Sequence, residues 1–253
     1  MAARTIARKI PEAGAAIPRR AAPRRKRDPE GMQRKILDAA TEEFASQGFG
    51  GARVERISRR ARTVDRMLYY YFGSKDALFL AVLEHTYASI RNAEKRLSLL
   101  DVPPTESIRR LIDFTWGYYL AHPEFLSLLN SENLHRARHL RRSREILAMN
   151  SPLIDTLKTV LARGRGDGIF RDGVDALQLY VSIAALSYFY LGNNHTLSTV
   201  FGRNLAAPDA RQERLAHMTD VILGYLRPAL QPHALPRRPL QPRIDAAAVA
   251  ADN

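Results

Sequence analysis

The chain contains no cysteine. That excludes disulfides and thiolate chemistry and fits a reducing compartment. No apolar run reaches the length of a bilayer span. Arg4, Arg8 and Lys9 interrupt any apolar signal-peptide core at the N-terminus. The expectation is a soluble, cytoplasmic protein with no membrane partner. There is no GxSxG, no P-loop and no HExxH, so the sequence presents no catalytic set, and the reading is a non-enzyme without a cofactor. Alternation of period two, the mark of a half-buried strand, is absent, and no internal repeat is visible. Acidic residues are in short supply: Lys and Arg number 39 against 26 Asp and Glu, a net charge of +13. Such a balance favours polyanionic partners.

What is present is helical periodicity in a chain of 253 residues, 45% of them hydrophobic, long enough for one or two domains with a real core. Residues 1–28 carry nine basic side chains from Arg4 to Arg27 against Glu12 and Asp28, with Pro11, Pro18 and Pro23 opposing a helix. This segment reads as a disordered basic arm. It holds roughly half of the excess positive charge and suits contacts to phosphate; the plainer reading is a solvated tail. A first helix is expected from Pro29 to about Gln47, ended by Gly48. A long helix is expected from Lys75 to about Ser98, with Leu78, Val82, Leu83, Ile90 and Leu97 buried. Pro103 and Pro104 break the chain before a helix over about 105–121, and Pro123 opens the next. Pro152 is expected to start a further helix after an Asn150–Ser151 cap, and Gly164–Gly173 to form a loop with Ile169 and Phe170 beneath it. The segment from Asp175 to Leu191 is apolar on all sides, which implies burial beyond one domain's core. The last helix spans about 209–226, and the proline-rich residues 228–253 form a disordered tail. The fold class is all-α, with about nine helices.

The chain is organised around Ala52–Asp76. Val54, Ile57 and Ala61 form one short apolar stripe, Arg62-Thr63-Val64 interrupts it, and Leu68, Tyr69 and Phe72 resume it before Gly73. Two short helices around a three-residue turn are a helix-turn-helix, whose second helix enters the major groove. The run Leu68-Tyr69-Tyr70-Tyr71-Phe72-Gly73-Ser74-Lys75-Asp76-Ala77-Leu78, with Ile36–Phe44 and Gly48-Phe49 upstream, resembles the DNA-binding domain of the tetracycline-repressor (TetR) family of transcriptional regulators. The close resemblance covers about residues 32–85. One departure is in the turn: Arg62 stands where the family has a glycine suited to positive φ, and Val64 stands where it has a capping serine. Thr63 is then expected to cap, starting the recognition helix a residue early.

The resemblance implies an N-terminal three-helix helix-turn-helix domain over 29–91, with the motif at about 53–72, and a helical ligand-binding and dimerisation domain over 92–227. It implies a homodimer on an inverted-repeat operator in double-stranded DNA, released by a small-molecule effector of unknown identity. The expected DNA contacts are Arg53, Arg62, Thr63, Arg66, Met67, Tyr69, Tyr70 and Lys75. Arg66 is the best base reader, because a guanidinium matches both guanine acceptors, and Lys75 sits at a helix N-terminus suited to phosphate. The expected dimer interface is Leu179, Ile183, Leu186, Leu215, Met218 and Ile222. The expected effector contacts are Trp116, Tyr119, His139, Tyr188, Asn194 and His195. A structural reading of those aromatics as core competes with the pocket. Glu132, His135 and His139 share a helix face at metal-ligand spacing, but flanking arginines make a polar surface the better reading. The alternative function, motivated by the altered turn and the arm, is a nonspecific basic nucleic-acid-binding or architectural protein.

Overall fold

The computed structural model describes residues 28–228, and the basic arm and proline-rich tail expected from the sequence lie outside them. Ten α-helices and two short 3-10 turns make up the described residues, with no strand among them. The helices are α1 (Pro29–Gly51), α2 (Val54–Arg60), α3 (Asp65–Phe72), α4 (Lys75–Lys95), α5 (Pro104–Ala121), α6 (Pro123–Leu134), α7 (Arg144–Gly166), α8 (Ala176–Gly192), α9 (Asn194–Phe201) and α10 (Pro208–Leu226). Local chemistry sets most of the starts. Asp28 accepts from the Gly31 amide at 2.9 Å ahead of Pro29, Ser74 from Ala77 at 3.1 Å, and Asp175 from Gln178 at 2.8 Å. Gly48, at φ 64°, kinks α1 just before its last residues.

Two apolar cores hold the chain. The first gathers Ile36, Ala40, Phe44, Ile57, Leu68, Leu78, Phe79 and Val82 from α1–α4, and Leu128 of α6 and Ile146 of α7 complete it. The helix-turn-helix head is therefore closed from below by helices that belong, in sequence, to the second half. The second core joins Ile108, Leu111, Ile112 and Trp116 of α5 to Leu157 and Val160 of α7, Leu179 and Ile183 of α8, and Met218 and Ile222 of α10. A smaller cluster of Ile90, Tyr118, Tyr119, Phe125 and Leu126 lies where α4 meets α5 and α6.

Several expectations change. The helix placed at Pro152 begins at Arg144, capped by Ser143, and runs through the proline; one missing N–H removes one ladder bond, and the flanking turns hold. The same helix continues to Gly166, so Gly164 is helical. A Cβ there would fall 2.1 Å from the Phe170 ring, so glycine is what allows Phe170 to bury against the helix. Ile169, expected beneath the loop, is exposed. The long helix stops at Lys95 instead of Ser98, which takes φ 49°. Residues Asn194–Phe201, between the two long helices expected at the end of the chain, form a further short helix, α9.

Candidate nucleic-acid interface and effector cleft

The head places α3 on the surface. Leu68 is fully buried beneath it, and Tyr71 and Phe72 pack half-buried on the same core. Because the helix turns about 100° per residue, anchoring Leu68 turns Arg66, Tyr69 and Tyr70 outward; Tyr70 is 77% exposed. Met67 is half-buried on the flank. In the turn, Arg62 takes φ 53°, the left-handed conformation for which a glycine is better suited. The Thr63 amide donates to the Ser58 carbonyl at 2.9 Å, closing the turn through the backbone. Thr63 does not cap. The N-cap position is Val64, whose side chain makes no capping bond, so α3 begins at Asp65 without that stabilisation.

Charges around the head divide by partner. Glu43, almost fully buried, accepts from Arg56 Nε at 2.5 Å and from the Arg53 amide at 3.1 Å. Arg60 pairs with Glu42 at 2.6 Å. The side chains of Arg53, Arg62 and Arg66 have no acidic partner among the described residues and are exposed. Lys75 lies over the Phe49 ring, 4.8 Å from its centroid. Burial lowers its pKa; Asp76 opposes that shift and the nearby Arg53 adds to it. Arg53 and Lys75 thus converge at the helix starts beside α3.

The residues expected around an effector are not brought together. Trp116 sits in the second core, its ring 5.7 Å from that of Tyr190. Tyr119 stacks on Phe125 at 5.6 Å in the smaller cluster, against which Tyr188 also packs. Tyr188 hydrogen-bonds Asn130. Asn194 donates to the Leu191 carbonyl at 2.6 Å, and His195 is exposed on α9. His139 belongs to the head. It is buried between the Phe49 and Phe79 rings, with Nδ1 2.7 Å from Glu132 Oε2. Glu132 also accepts from the His139 and Leu140 amides at 2.8 and 3.0 Å. His135 Nδ1 bonds the Ser131 carbonyl. The Glu132 face is thus engaged in closing the α6–α7 connection, and no cluster of metal-ligating side chains is found among the described residues. Asp76, at the start of α4, pairs with Arg138 and lies 3.5 Å from His139 Nε2, which ties the end of the helix-turn-helix to that connection.

The expected dimer residues also divide. Leu179, Ile183, Met218 and Ile222 are at most 3% exposed and pack into the chain's own second core. Leu186 and Leu215 are half-buried. The outward face of α8 and α10 is one turn position away, at Val181, Phe189, Val221 and Tyr225, all at least 43% exposed. A shallow apolar depression lies there, lined by Ser182, Ala185, Leu186, Val221, Ile222 and Tyr225.

An open cleft of about 330 Å³ lies between the end of α4, the 3-10 turn at Leu99–Asp101 and the middle of α7. Leu99, Leu100, Met149, Pro152 and Leu153 make it largely apolar, and Arg91 and Glu94 lie at its inner end. Both side chains are about 5% exposed. Arg91 Nη2 donates to the Tyr180 hydroxyl at 2.6 Å, and its guanidinium lies 5.4 Å from that ring's centroid. Arg91 Nη1 and Glu94 Oε2 are 2.7 Å apart, yet neither atom makes an aligned hydrogen bond, and Arg91 Nε has no acceptor. Burial pushes the Glu94 carboxyl up to about 7, against the pull of Arg91. Burial opposes the charge of Arg91, but Tyr180 and Glu94 outweigh it and raise its pKa. Burial also pushes the Tyr87 hydroxyl up to about 12 and raises that of Tyr119.

The sequence reading did not select Arg91, Glu94, Tyr87 or Tyr180 for a site. A signal was available: Tyr87, Arg91 and Glu94 continue the row of Leu83 at i+4, i+8 and i+11, on the buried side of α4.

Comparison with known proteins agrees with the head and the helical body. The model of bacterial regulatory proteins of the tetR family matches residues 36–82, and that of a tetracyclin repressor-like C-terminal domain matches 104–222. The chain is 43% identical over 192 residues to the HTH-type transcriptional repressor NicS of Pseudomonas putida, covering 76% of this chain and 91% of that protein. It is 26% identical over 205 residues to the HTH-type transcriptional regulator RutR of Escherichia coli, covering 81% and 95%. Among solved structures, that of SCO4942 from Streptomyces coelicolor superposes with a TM-score of 0.60 at 22% identity, over 77% of this chain and 98% of that one, a likeness of fold.

Proposed function

Since the chain belongs to the TetR family of DNA-binding transcriptional regulators, we propose that it is a ligand-responsive repressor that holds an inverted-repeat operator as a homodimer. The observation that carries this reading is the posture of α3: Leu68 anchors it while Arg66, Tyr69 and Tyr70 face solvent beside unpartnered Arg53 and Arg62. Arg66 reads a guanine edge, and Lys75, Arg53, Tyr69 and Tyr70 hold phosphates. Arg62, Thr63 and Met67 flank the contact. The functional division is a DNA-binding domain over 29–91 and an effector and dimerisation domain over 92–227. The outward face of α8 and α10, at Val181, Phe189, Val221 and Tyr225, joins two protomers; an apolar face of this kind favours a partner over water. Helix α4 links effector to DNA. It starts at the end of α3, where Asp76 meets Arg138, and ends beside the cleft at Arg91 and Glu94. A ligand that shifts its far end changes the spacing of the paired α3 helices, and DNA weakens the ligand by the same factor.

Selection of bound sites from random duplex DNA tests the reading. The expected product is an inverted repeat with half-sites about one helical turn apart or slightly more. Sites without a consensus at moderate salt would favour the nonspecific architectural alternative. Tyr225→Arg should give folded monomer by light scattering, whereas a dimer that persists places the interface elsewhere.

A further inference from the structure

We propose that the cleft between α4 and α7 is a binding site for a small organic carboxylate with an apolar body, its anionic head held by Arg91, and that Glu94 stands in for that head when the site is unliganded. The proposal rests on the ligand-responsive reading above and names the class of ligand.

Arg91 is a buried cation two of whose nitrogens, Nε and Nη1, lack an aligned acceptor. An unsatisfied buried donor is costly, more so when charged, and fold stability gives no reason to keep one at the end of an open cleft. A guest with an acidic head would satisfy it. The charge balance limits that guest. The inner end holds one guanidinium and one carboxyl, and Tyr180, Tyr119 and Tyr87 around them stay neutral. At the rim, Lys95 and Asp101 offset each other in sign. One site cation fits one negative charge, so a monoanion suits it and a phosphate dianion does not. The remaining wall, with Leu99, Met149 and Leu153, suits an apolar body.

Glu94 already occupies the position beside Nη1, in a contact too poorly aligned to be a hydrogen bond. When a carboxylate arrives, two anions face one guanidinium, and Glu94 takes up a proton from solvent. Its carboxyl, pushed up to about 7 by burial, makes that uptake easy near neutrality. From α4 the charged neighbours are Arg91 and Lys95, and from the 3-10 turn Asp101; α8 contributes Tyr180 and α5 Tyr118 and Tyr119; α7 faces the cleft with the uncharged Met149, Pro152, Leu153 and Thr156. Carboxylate binding should therefore tighten as pH falls through about 7.

The test uses the full-length protein with benzoate and hexanoate at millimolar concentration, and with the matching amides, benzamide and hexanamide. At least one acid should raise Tm, and its amide should not. Calorimetry in two buffers of different ionisation enthalpy should report proton uptake near neutral pH. Arg91→Met should weaken the acid by at least roughly tenfold, the value of a lost charge-assisted bond. Should that variant fold poorly, Glu94→Gln keeps the shape and removes the competing anion: acid affinity should rise and proton uptake vanish. If neither acid binds, if the amides bind as well as the acids, or if Glu94→Gln leaves affinity and proton uptake unchanged, the proposal is overturned. Operator binding is measured in parallel. Acid that binds through Arg91 without releasing DNA would leave the site standing and remove the ligand-responsive reading. DNA release by a ligand indifferent to Arg91→Met would do the reverse.

Discussion

Glu132 and Glu94 are equally buried carboxyls with opposite surroundings. Glu132, between the head and the α6–α7 connection, accepts three hydrogen bonds, two from backbone amides and one from the His139 ring. Glu94, at the inner end of the cleft, has one misaligned contact with a guanidinium two of whose nitrogens lack an aligned acceptor. The difference separates a structural group from one poised for a guest. A buried carboxylate with both oxygens hydrogen-bonded fixes geometry, and here it fixes the joint that holds the head to the body. A buried ion pair left half answered adds little to stability by itself, and its incompleteness is informative because native proteins keep so few such groups.

The comparison breaks most sharply under mutation. Glu132→Ala leaves two amides and an imidazole buried without an acceptor, and the cost should be roughly 3–5 kcal/mol of unfolding free energy. Urea unfolding measures it, and DNA affinity should fall at the same time because His139 and Asp76 lose their frame. Glu94→Gln should change stability by less than about 1 kcal/mol, because it exchanges a poorly compensated charge for a neutral amide. Equal losses in the two variants would erase the distinction.

A smaller effect is the dependence of stability on pH. Burial raises the Glu94 carboxyl from 4.5 to about 7, so between those values the folded protein binds a proton that the unfolded chain does not. Its contribution is fully present below 4.5 and is lost as pH rises through about 7. Tm measured without ligand should therefore decline across that window, by the equivalent of about 1–2 kcal/mol once solvent relaxation is allowed for. Glu94→Gln should remove that part of the slope. A slope that survives the substitution belongs to another group.

The two ends of the molecule differed in how much of them the sequence disclosed. The head was legible because its signals are local. Leu68 at helical spacing from Phe72, Gly73 at a helix end and Ser74 at a cap each act within a few residues, and the structure has them in those roles. The body is organised by contacts distant in sequence. Arg91 and Tyr180 are 89 positions apart, and nothing in either neighbourhood names the other. Helix α8 misled in a different way. Its composition is apolar all round, so periodicity could not say which stripe faces inward, and the chosen residues Leu179 and Ile183 proved to be core while Val181 and Phe189 face out. On α10, Met218 and Ile222 follow the same stripe into the core, and Tyr225 leaves it. The choice between stripes is settled by what α5 and α7 bring against α8, which one helix cannot disclose. His139 shows the opposite case: a histidine on a basic stretch, read toward a ligand, is taken up by Phe49 and Glu132 from either side of the head's core.

The distinction between answered and unanswered charge extends to the surface of the head, where its effects are smaller. Arg60 has Glu42 at 2.6 Å and Arg56 has Glu43 at 2.5 Å. Arg66 has no acidic partner among the described residues and stands on the outer face of α3. If unpartnered charge marks the DNA surface, three alanine substitutions separate in a fixed order. Arg66→Ala should cost about 1–3 kcal/mol against the preferred base and relax selection at one position per half-site, since a bidentate contact to guanine is lost. Lys75→Ala should weaken all sequences alike and reduce the salt slope by about one per protomer, because phosphate carries no sequence information. Arg60→Ala should do neither beyond a few tenths of a kcal/mol, because an exposed pair contributes little to the fold and its charge is already met. The measurement is binding of each variant to the selected operator and to a scrambled duplex across a salt series. A loss at Arg60 as large as at Arg66 would mean that the Glu42 pair opens on DNA, and that an ion pair at rest in the free protein is a poor guide to which side chains DNA recruits.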